Sequence, residues 1–324
     1  MEQAGFQHEA LLYEGADEYL AGTVPYLRTA LGRGEPAMAA VRRPQAELLE
    51  RELGADAERV LFVDVEEVGR NPASVIPLWR EFVDEACGRP VRGIGETVWA
   101  DRSPAAIDEC QRHEALLNLA FGPRPSWSLL CPYDAASLGD EVLERVGHSH
   151  SCLHRHGQRE ESPSFDPHPD CLAGQLPPPK AIPEEIDFGL QQLSEVRNRV
   201  TAAAERAGMD QLGVADLVTA TSELAANSVM HGGGNGTLRL WREGDTLFAE
   251  VEDRGRIEEP LVGRLRPEIK QEGGRGLWLA NRLCDLVQIR SDAGGTTVRL
   301  HVLTRRSAPV ARPFDVGALG GHAG

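Results

Sequence analysis

Several features that mark other protein classes are missing from this sequence of 324 residues. It contains no run of about 18 apolar residues, which excludes an ordinary membrane-spanning helix. Basic residues are in the minority, because 34 Lys and Arg face 50 Asp and Glu and give a net charge of −16. Nucleic acids and acidic membranes are bound through an excess of Lys and Arg, so we expect neither a nucleic acid nor a membrane as a partner.

Two further absences bear on the compartment. The six cysteines are scattered and include no C-x-x-C pair. The N-terminus starts with acidic residues and has neither a basic segment nor a long apolar segment, so we expect no signal peptide. In a chain without an export signal, scattered cysteines are expected to be reduced thiols. The predicted location is the cytoplasm.

Strand-like and helix-like segments alternate over residues 5–150. Short apolar stretches such as "PAMAAVR", "RVLFVD" and "WSLLCPYD" indicate strands, and "GETVWA" is interpreted as another. Longer segments such as "PQAELLEREL" and "SPAAIDECQRHEALLNLAF" indicate helices between them. This alternation predicts an α/β domain with a mostly parallel sheet.

The composition of the sequence changes after this domain. Residues 151–182 are rich in Pro and polar residues and lack apolar periodicity, so they are predicted to be a linker. Residues 183–304 begin with two helical segments and continue with two hairpins, around "REGD" and "DAGG". Helices followed by paired strands predict an α+β two-layer sandwich. The Pro- and Gly-rich tail, residues 305–324, is predicted to be disordered.

The second helix of this domain contains "TSELAANSVMHGGG", in which Glu223, Asn227 and His231 follow one another at intervals of four. Residues four apart on a helix lie on one face, so the three form a stripe beside the apolar side. A carboxylate can accept a proton from a hydroxyl group, and an Asn oxygen is a hard ligand suited to Mg²⁺. A solvated polar edge of an ordinary helix would have the same pattern, so this helix alone leaves both interpretations open.

Two glycine-containing motifs follow in the chain. Asp253 and Gly255 end a strand as Asp-x-Gly, which would place a carboxylate beside a backbone that a flat ring can approach closely. Gly274 and Gly276 stand at the start of a helix, where free N–H groups and the helix dipole attract anions. Taken alone, the Asp-x-Gly motif is better explained as an ordinary strand-ending turn, and a Gly-rich helix start is weak evidence for a site.

In this order and with these spacings, the motifs resemble the ATP-binding domain of the GHKL superfamily, the Bergerat fold, over about residues 183–303. Glu223-x-x-x-Asn227 is similar to the N box of that family. The resemblance implies that Glu223 is a general base and that Asn227 ligates Mg²⁺ bridging the phosphates. It also implies a mobile lid over about residues 256–273. It assigns no role to His231.

The other motifs resemble the nucleotide-contacting boxes of the same superfamily. Asp253-x-Gly255 is similar to its first glycine box, which implies that Asp253 binds the adenine amino group and Gly255 packs beneath the ring. "GGTTV" around Thr296 is similar to its last box, so Thr296 would support this contact. Gly274-x-Gly276 is similar to the second glycine box, which implies N–H donation to the phosphates. ATP and Mg²⁺ are the implied cofactors.

Within the superfamily, the compact domain looks like the anti-sigma-factor serine kinases of the RsbW/SpoIIAB type. This resemblance implies a serine/threonine kinase that phosphorylates an anti-sigma-factor antagonist, with that antagonist or a sigma factor as protein partner. Two alternatives stay open: a non-catalytic nucleotide-dependent module that sequesters such a partner, and a sensor histidine kinase with an atypical acceptor. The helix before the ATP domain contains no His, which disfavours the last. Dimerisation with a second copy is also left open.

The N-terminal domain resembles the MEDS sensory domain, named for methanogen and methylotroph regulators. The similarity lies in "QHEALLYEGADEYLAGTVPYLRTALGRGEPAMAAV", followed by "ETVWA", "HEALLN" and "LLCPYD". That family looks like a degenerate relative of RecA/KaiC-type ATPases, and no G-x-x-x-x-G-K-[ST] loop follows the first strand here, so phosphate binding is not expected. The resemblance implies signal reception. Six candidate ligand positions lie near predicted strand ends, although routine strand and turn chemistry is the better explanation for them: His8, Glu96, Glu114, Cys131, Tyr133 and Asp134.

One short run, "HSHSCLHRH" from His148 to His156, concentrates potential metal ligands. Imidazole and thiolate groups suit Zn²⁺. The spacing matches no standard structural zinc pattern, and one short segment rarely supplies four ligands. The run by itself therefore does not predict a metal site.

Overall fold

The computed structural model describes residues 5–122, 127–267 and 274–305. The described residues contain a mostly parallel sheet in the N-terminal half and an antiparallel sheet in the C-terminal half. The two fold classes expected from the sequence, α/β followed by α+β, are thereby confirmed.

The N-terminal sheet has seven strands in the order β3-β2-β4-β5-β1-β6-β7, and its last strand is antiparallel to its neighbour. Its strands are β1 (Phe6–Tyr13), β2 (Ala37–Val41), β3 (Val60–Asp64), β4 (Val91–Gly95), β5 (Trp127–Asp134), β6 (Cys152–Arg155) and β7 (Gln158–Glu161). The helices of this half are α1 (Gly15–Gly32), α2 (Arg43–Leu53), α3 (Val65–Val68), α4 (Val75–Glu85), α5 (Pro104–Phe121) and α6 (Asp140–Ser149). Short 3₁₀ turns span Gly54–Arg59 and Pro72–Ser74.

Helices cover both faces of this sheet. On one face, Leu27 of α1 and Leu49 of α2 pack with alternate residues of the central strands. On the other face, Trp79 of α4 and Leu116 of α5 belong to a second cluster. Because both faces are covered, the central strand β2 is buried at every position, which explains its continuous apolar sequence "AMAAV".

The C-terminal sheet is antiparallel, with the strand order β11-β12-β10-β9-β8. Its elements are β8 (Glu184–Gly189), α7 (Leu193–Arg206), α8 (Gln211–His231), β9 (Asn235–Glu243), β10 (Thr246–Asp253), α9 (Arg275–Leu283), β11 (Leu286–Asp292) and β12 (Gly295–Leu303). A 3₁₀ turn at Leu190–Gln192 precedes α7. The core between helices and sheet includes Val200, Leu224 and Leu277 from the three helices. Both predicted hairpins are present as β9–β10 and β11–β12.

Two strand predictions need correction. "GETVWA" is not a strand, because β4 ends at Gly95 and residues 96–99 leave the sheet. The Glu96 N–H still donates to the Ala40 carbonyl oxygen of β2 at 2.9 Å, and its side chain accepts a 2.9 Å hydrogen bond from Arg42, but no strand continues beyond it. Strand β8 was missed, because its polar sequence "EEIDFG" runs along a sheet edge and carries no apolar alternation strong enough to identify it.

The segment 151–182 is only partly a linker of the expected kind. Strands β6 and β7 lie within it and extend the N-terminal sheet beyond β1. Further along, Cys171 packs in the N-terminal core while the next residue, Leu172, packs in the C-terminal core. The composition did not predict the contacts of Cys171 and Leu172, because they are made by single residues between prolines and not by a periodic apolar pattern. Except for Arg305, the predicted disordered tail lies outside the described residues.

Buried ion pairs join the two halves. Glu109 of α5 accepts hydrogen bonds from Arg264 at 3.1 Å and from Arg290 of β11 at 2.7 Å. Glu109, Arg264 and Arg290 are 1%, 6% and 4% exposed. Asp108 Oδ2 accepts a hydrogen bond from the second terminal guanidinium nitrogen of Arg290 at 2.6 Å. Because these charges are desolvated, each depends on its partner, and the junction between the halves is a specific contact.

Candidate functional site

Helix α8 carries the first two predicted site residues side by side. The helix begins after Asp210, whose carboxylate caps Gly213 N–H at 2.7 Å, and ends at His231, before Gly232. Its Leu217 and Leu224 enter the core, which leaves Glu223 and Asn227 half-buried beside that face. Among the described residues, no hydrogen bond or ion pair occupies the Glu223 carboxylate or the Asn227 amide. Both groups are therefore available to a ligand.

His231 lies apart from the other two members of the stripe. It is exposed at the C-terminal end of α8, and its carbonyl oxygen faces Gly255. A Cβ at Gly255 would come within 2.9 Å of that oxygen. The contribution of His231 visible in the structure is thus a backbone contact between the end of the helix and the Asp-x-Gly motif.

Asp253 at the end of β10 is held by two donors. Ser228 of α8 donates its hydroxyl to Oδ2 at 2.6 Å, and Gly255 donates its N–H to Oδ1 at 2.7 Å. Gly232 permits this approach, because a Cβ there would lie 2.4 Å from the Asp253 carboxyl carbon. The carboxylate has lone pairs beyond those two bonds, so it can still accept from a ligand while its orientation is fixed.

Thr296 of β12 lies opposite Asp253 in the sheet register. Its hydroxyl donates to the carbonyl oxygen of Gly255 at 2.8 Å and lies 2.8 Å from the Ser291 hydroxyl. Thr296 is 5% exposed, so these bonds are made inside the protein. The turn Asp253–Gly255 is thereby held from both the helix side and the strand side.

Gly274 and Gly276 bring the start of α9 against α8. Gly274 adopts a left-handed backbone at φ +80°, which glycine adopts without strain. Gly276 is buried, and a Cβ there would lie 2.9 Å from Asn227 Nδ2 and 3.2 Å from Glu223 Oε2. The N-terminus of α9 therefore lies directly against the two α8 side chains, and a helix N-terminus is a place where anions bind.

These groups fit a nucleotide with a magnesium ion. The neutral amide oxygen of Asn227 suits Mg²⁺, the N-terminus of α9 suits phosphate oxygens, and the oriented Asp253 carboxylate suits an amine donor. This arrangement requires glycine at position 276, because a Cβ there would crowd the side chains of Asn227 and Glu223. Glu223 lies on the same face of α8 as Asn227, one helical turn earlier.

The segment after the Asp-x-Gly motif, predicted to be a mobile lid, is anchored where the structure describes it. Ile257 N–H donates to the Ser291 hydroxyl at 2.8 Å, and Asn281 donates to the Gly263 carbonyl oxygen at 2.9 Å. Arg264 is buried and donates a 3.1 Å hydrogen bond to Glu109 of the N-terminal half. Residues 268–273 of the predicted lid lie outside the described residues. Sequence reasoning missed this anchoring because each partner is distant in the chain.

The candidate positions in the N-terminal half separate into two groups. His8, Glu114 and Cys131 come together, and the ring of Tyr133 lies edge-on to His150 next to them at 5.6 Å. The remaining two do not take part: Glu96 pairs with Arg42, and Asp134 accepts a 3.1 Å bond from Ala136 N–H in its own turn.

Burial perturbs the titratable groups of this cluster. It lowers the pKa of His8, with the neighbouring His150 acting in the same direction and Glu114 opposing. Burial raises the pKa of the Cys131 thiol well above its ordinary value. Burial also acts to raise the pKa of Glu114, but the two histidines outweigh it and hold that pKa well below its ordinary value. The pKa of each of these three groups therefore depends on the other members of the cluster.

The histidine-rich run does not act as a unit. His150 turns into the core and is 0% exposed. His154 pairs with Glu9 at 2.6 Å and His156 with Glu18 at 3.2 Å, both on the outside of β6 and the following turn. His150 differs from His154 and His156 in being buried, and the polar sequence around it does not indicate this burial.

Comparisons with known proteins find a different family model that matches each half. Residues 7–151 match the model of the MEDS family, the methanogen/methylotroph DcmR sensory domain. Residues 187–302 match the model of the histidine kinase-like ATPase domain. The two resemblances drawn from the sequence motifs are thereby confirmed.

Similar curated proteins align with the C-terminal half. Two are anti-sigma F factors, from Thermoanaerobacter sp. (strain X514) and Thermoanaerobacter pseudethanolicus (strain ATCC 33223 / 39E). Each is 27% identical over 128 residues, which cover 36% of this chain and 90% of the relative. This half of the chain therefore spans nearly the full length of those relatives.

Among solved structures, one that matches contains the RsbU and RsbW domains of Rv1364c from Mycobacterium tuberculosis. It is 25% identical, with a TM-score of 0.30, and the match covers 38% of this chain and 32% of that chain. Separately, no helix within the described residues is both long and apolar enough to cross a membrane.

Proposed function

We propose that this protein is an ATP- and Mg²⁺-dependent serine/threonine kinase of an anti-sigma-factor antagonist, controlled by its N-terminal sensory domain. The observation that carries the proposal is the contact of Glu223 and Asn227 with Gly276 at the start of α9. A base, a magnesium ligand and an anion-binding helix terminus then share one wall. The similarity of this half to anti-sigma F factors supports the choice of partner class.

In this proposal, bound ATP with Mg²⁺ supplies the phosphoryl group. Asn227 holds the ion, the N–H groups from Gly274 to Gly276 hold the phosphates, and Asp253 orients the base. Thr296 keeps the Asp253–Gly255 turn in place through the Gly255 carbonyl oxygen. Glu223, which has no partner among the described residues, accepts the proton of a seryl or threonyl hydroxyl on the partner protein.

Control by the sensory domain is supported by the anchoring of the residues after Asp253. Leu261 and Leu265 pack against the N-terminal core, and Arg264 between them is buried on Glu109 of α5. A rearrangement of α5 would therefore shift the segment that leads from the base-binding turn to the phosphate-binding glycines. We place the protein in the cytoplasm as part of the same proposal.

The first test is calorimetric binding of ATP with and without Mg²⁺, on the wild type and on Asn227→Ala and Asp253→Ala. We expect Mg²⁺-dependent binding by the wild type and its loss in both variants. Absence of binding by the wild type would contradict the proposal. Asp187→Ala is a matched control, because this carboxylate lies on β8 of the same domain and pairs with Thr237.

The second test distinguishes kinase from binding module. The protein is incubated with labelled ATP and an anti-sigma-factor antagonist, and the phosphate is tested for acid stability. Acid-stable phosphate on a partner Ser or Thr supports the proposal. Acid-labile phosphate on this chain would instead indicate a histidine kinase. Tight partner binding without any phosphate transfer would indicate a sequestering module.

A further inference from the structure

A second group of polar side chains lies inside the N-terminal half, apart from the residues of the proposed kinase site. It consists of His8 on β1, Glu114 on α5, Cys131 on β5 and His150 directly after α6. These residues are 2%, 1%, 1% and 0% exposed. One donor atom from each lies within 4.8 Å of all the others. Four different elements therefore direct their ligand-type atoms to one buried point.

The spacing of these atoms suits a tetrahedral ion. His8 Nε2 lies 3.1 Å from Glu114 Oε2 and 3.3 Å from Cys131 Sγ. Glu114 Oε2 lies 3.3 Å from Cys131 Sγ and 3.5 Å from His150 Nε2. Zinc bonds of about 2.0–2.3 Å directed at tetrahedral corners separate the donor atoms by roughly 3.3–3.6 Å. Four of the six donor pairs thus already have nearly tetrahedral spacing, and the other two, which join His150 to His8 and to Cys131, lie within 4.8 Å.

The outer nitrogens of both imidazoles already have acceptors. Asn118 donates its amide to the Ser149 carbonyl oxygen at 2.8 Å, so its own oxygen faces His8 Nδ1 at 3.2 Å and accepts from it. His150 Nδ1 lies 2.8 Å from the Val146 carbonyl oxygen, which can only accept. In each neutral ring, Nδ1 therefore carries the hydrogen and Nε2 presents a lone pair to the cluster.

These tautomers leave lone pairs facing one another. His150 Nε2 is buried and makes no hydrogen bond within the described residues. The other carboxylate oxygen of Glu114, Oε1, accepts a hydrogen bond from the Thr97 hydroxyl, so Oε2 also faces the centre. The Cys131 thiol can donate its hydrogen to only one of these acceptors, because its Sγ lies 3.3 Å from both Glu114 Oε2 and His8 Nε2. The remaining buried acceptors face each other without a donor, which is unfavourable, and a cation that displaces the thiol hydrogen would satisfy all of them.

Charge balance favours a divalent ion. Cys131 as a thiolate and Glu114 as a carboxylate contribute two negative charges, and the two imidazoles contribute none. A divalent cation makes the buried cluster neutral, which removes the cost of isolated charges in the interior. The Asn118 and Val146 oxygens bond the outer nitrogens of the ligating rings, as the outer partners of zinc-bound histidines do.

We propose that His8, Glu114, Cys131 and His150 bind a Zn²⁺ ion in a closed, four-ligand site. With one imidazole nitrogen from each histidine, one thiolate and one carboxylate oxygen, the set is of the borderline type that zinc prefers. The ion ties β1, β5, α5 and the end of α6 together. All four coordination positions come from protein, so the site holds the ion permanently rather than activating a water.

The test uses full-length protein purified without chelators, analysed for metals by mass spectrometry. After mild chelation it is reloaded with Zn²⁺ or Co²⁺ alone. We expect about one zinc per chain. The Co²⁺ form should show the intense visible bands of a tetrahedral site and a thiolate-to-cobalt band in the near ultraviolet. Cys131→Ser should lose the thiolate band, and His150→Gln should bind zinc at least about tenfold more weakly.

Matched controls change the same residue types close to the cluster in the chain. Cys110→Ser changes another fully buried thiol of α5 that lies outside the cluster, and His154→Gln changes the next histidine of the run. Both should keep the ion. Folded wild-type protein that retains no zinc after reloading would overturn the proposal. So would a thiolate band that survives Cys131→Ser.

A measurement on the wild type alone avoids dependence on the folding of variants. X-ray absorption at the zinc edge should give one sulfur and three nitrogen or oxygen neighbours, as the four side chains require. A shell of oxygens only, typical of an ion adsorbed at the surface, would contradict the site.

Discussion

The two halves of the molecule hold their candidate ligand groups in opposite ways. In the N-terminal half, His8, Glu114 and His150 direct lone pairs inward at a fully buried point. In the C-terminal half, Glu223 and Asn227 are half-buried at the wall where α8 meets α9. The buried cluster suits a resident ion, since water cannot reach its acceptors. The open wall suits a ligand that comes and goes, because water satisfies its groups between binding events.

Helix α5 connects these two situations. Its Glu114 belongs to the buried cluster, and Glu109, about 7.5 Å earlier along the helix axis, pairs with Arg264 and Arg290 of the C-terminal half. A structural change at the buried cluster and one at the proposed nucleotide site would therefore both act on helix α5. The following predictions test the contrast between the closed and the open site, beginning with the largest effect.

Glu223→Gln keeps the shape of the open site but removes the proposed base. We expect phosphate transfer to fall by about 10²–10⁴-fold, while ATP affinity is unchanged. Rate measurement with labelled ATP and calorimetry on the same sample check both parts. Glu205→Gln, an exposed glutamate on α7, serves as control and should transfer phosphate normally. Normal transfer by Glu223→Gln would assign the base elsewhere.

Glu109→Gln breaks the link between the two regions. Arg264 and Arg290 would stay buried with an uncharged partner, and removing one member of such a pair costs about 3–5 kcal/mol. We expect a lower melting temperature and separate unfolding of the two halves in calorimetry. Glu141→Gln removes only an exposed partner of Arg145 and should leave the melting curve unchanged. Equal melting curves for both variants would show that the junction contributes little.

Gly276→Ala tests how closely the open site is packed. The added Cβ would lie 2.9 Å from Asn227 Nδ2, and such overpacking costs about 1–3 kcal/mol, so ATP affinity should fall about tenfold. Gly139→Ala is the control, because its Cβ would meet nothing within 4 Å at an ordinary φ of −72°. Undiminished affinity in Gly276→Ala would place the nucleotide away from α9.

Ser228→Ala should have the smallest effect. It removes the 2.6 Å hydrogen bond to Asp253, but the Gly255 N–H still orients the carboxylate. We expect ATP affinity to fall about threefold, less than the full value of a bond to a charged group, because the half-buried carboxylate is rehydrated. Thr219→Ala on the same helix, whose hydroxyl bonds only the Ala215 carbonyl oxygen, should bind ATP normally.

Sequence reasoning succeeded where the signal is local. The alternation of segments predicted the parallel sheet, and the two Gly-containing turns predicted the hairpins β9–β10 and β11–β12. The spacing of Glu223 and Asn227 on α8 follows from helix periodicity alone. Strand β8 and strand β6 escaped, because an edge strand and a strand in a Pro-rich segment carry little of the apolar alternation that identifies strands.

The sequence by itself determined the two fold classes, the pattern of α8 and the four motifs that resemble an ATP-binding domain. Each of these depends on residues close together in the chain, where backbone periodicity and turn chemistry govern the structure. Only the tertiary structure decided that His150 joins His8, Glu114 and Cys131, and that Glu109 holds Arg264 and Arg290. Those partners are distant in sequence, and they meet because two separate hydrophobic cores fix the helices and strands that carry them.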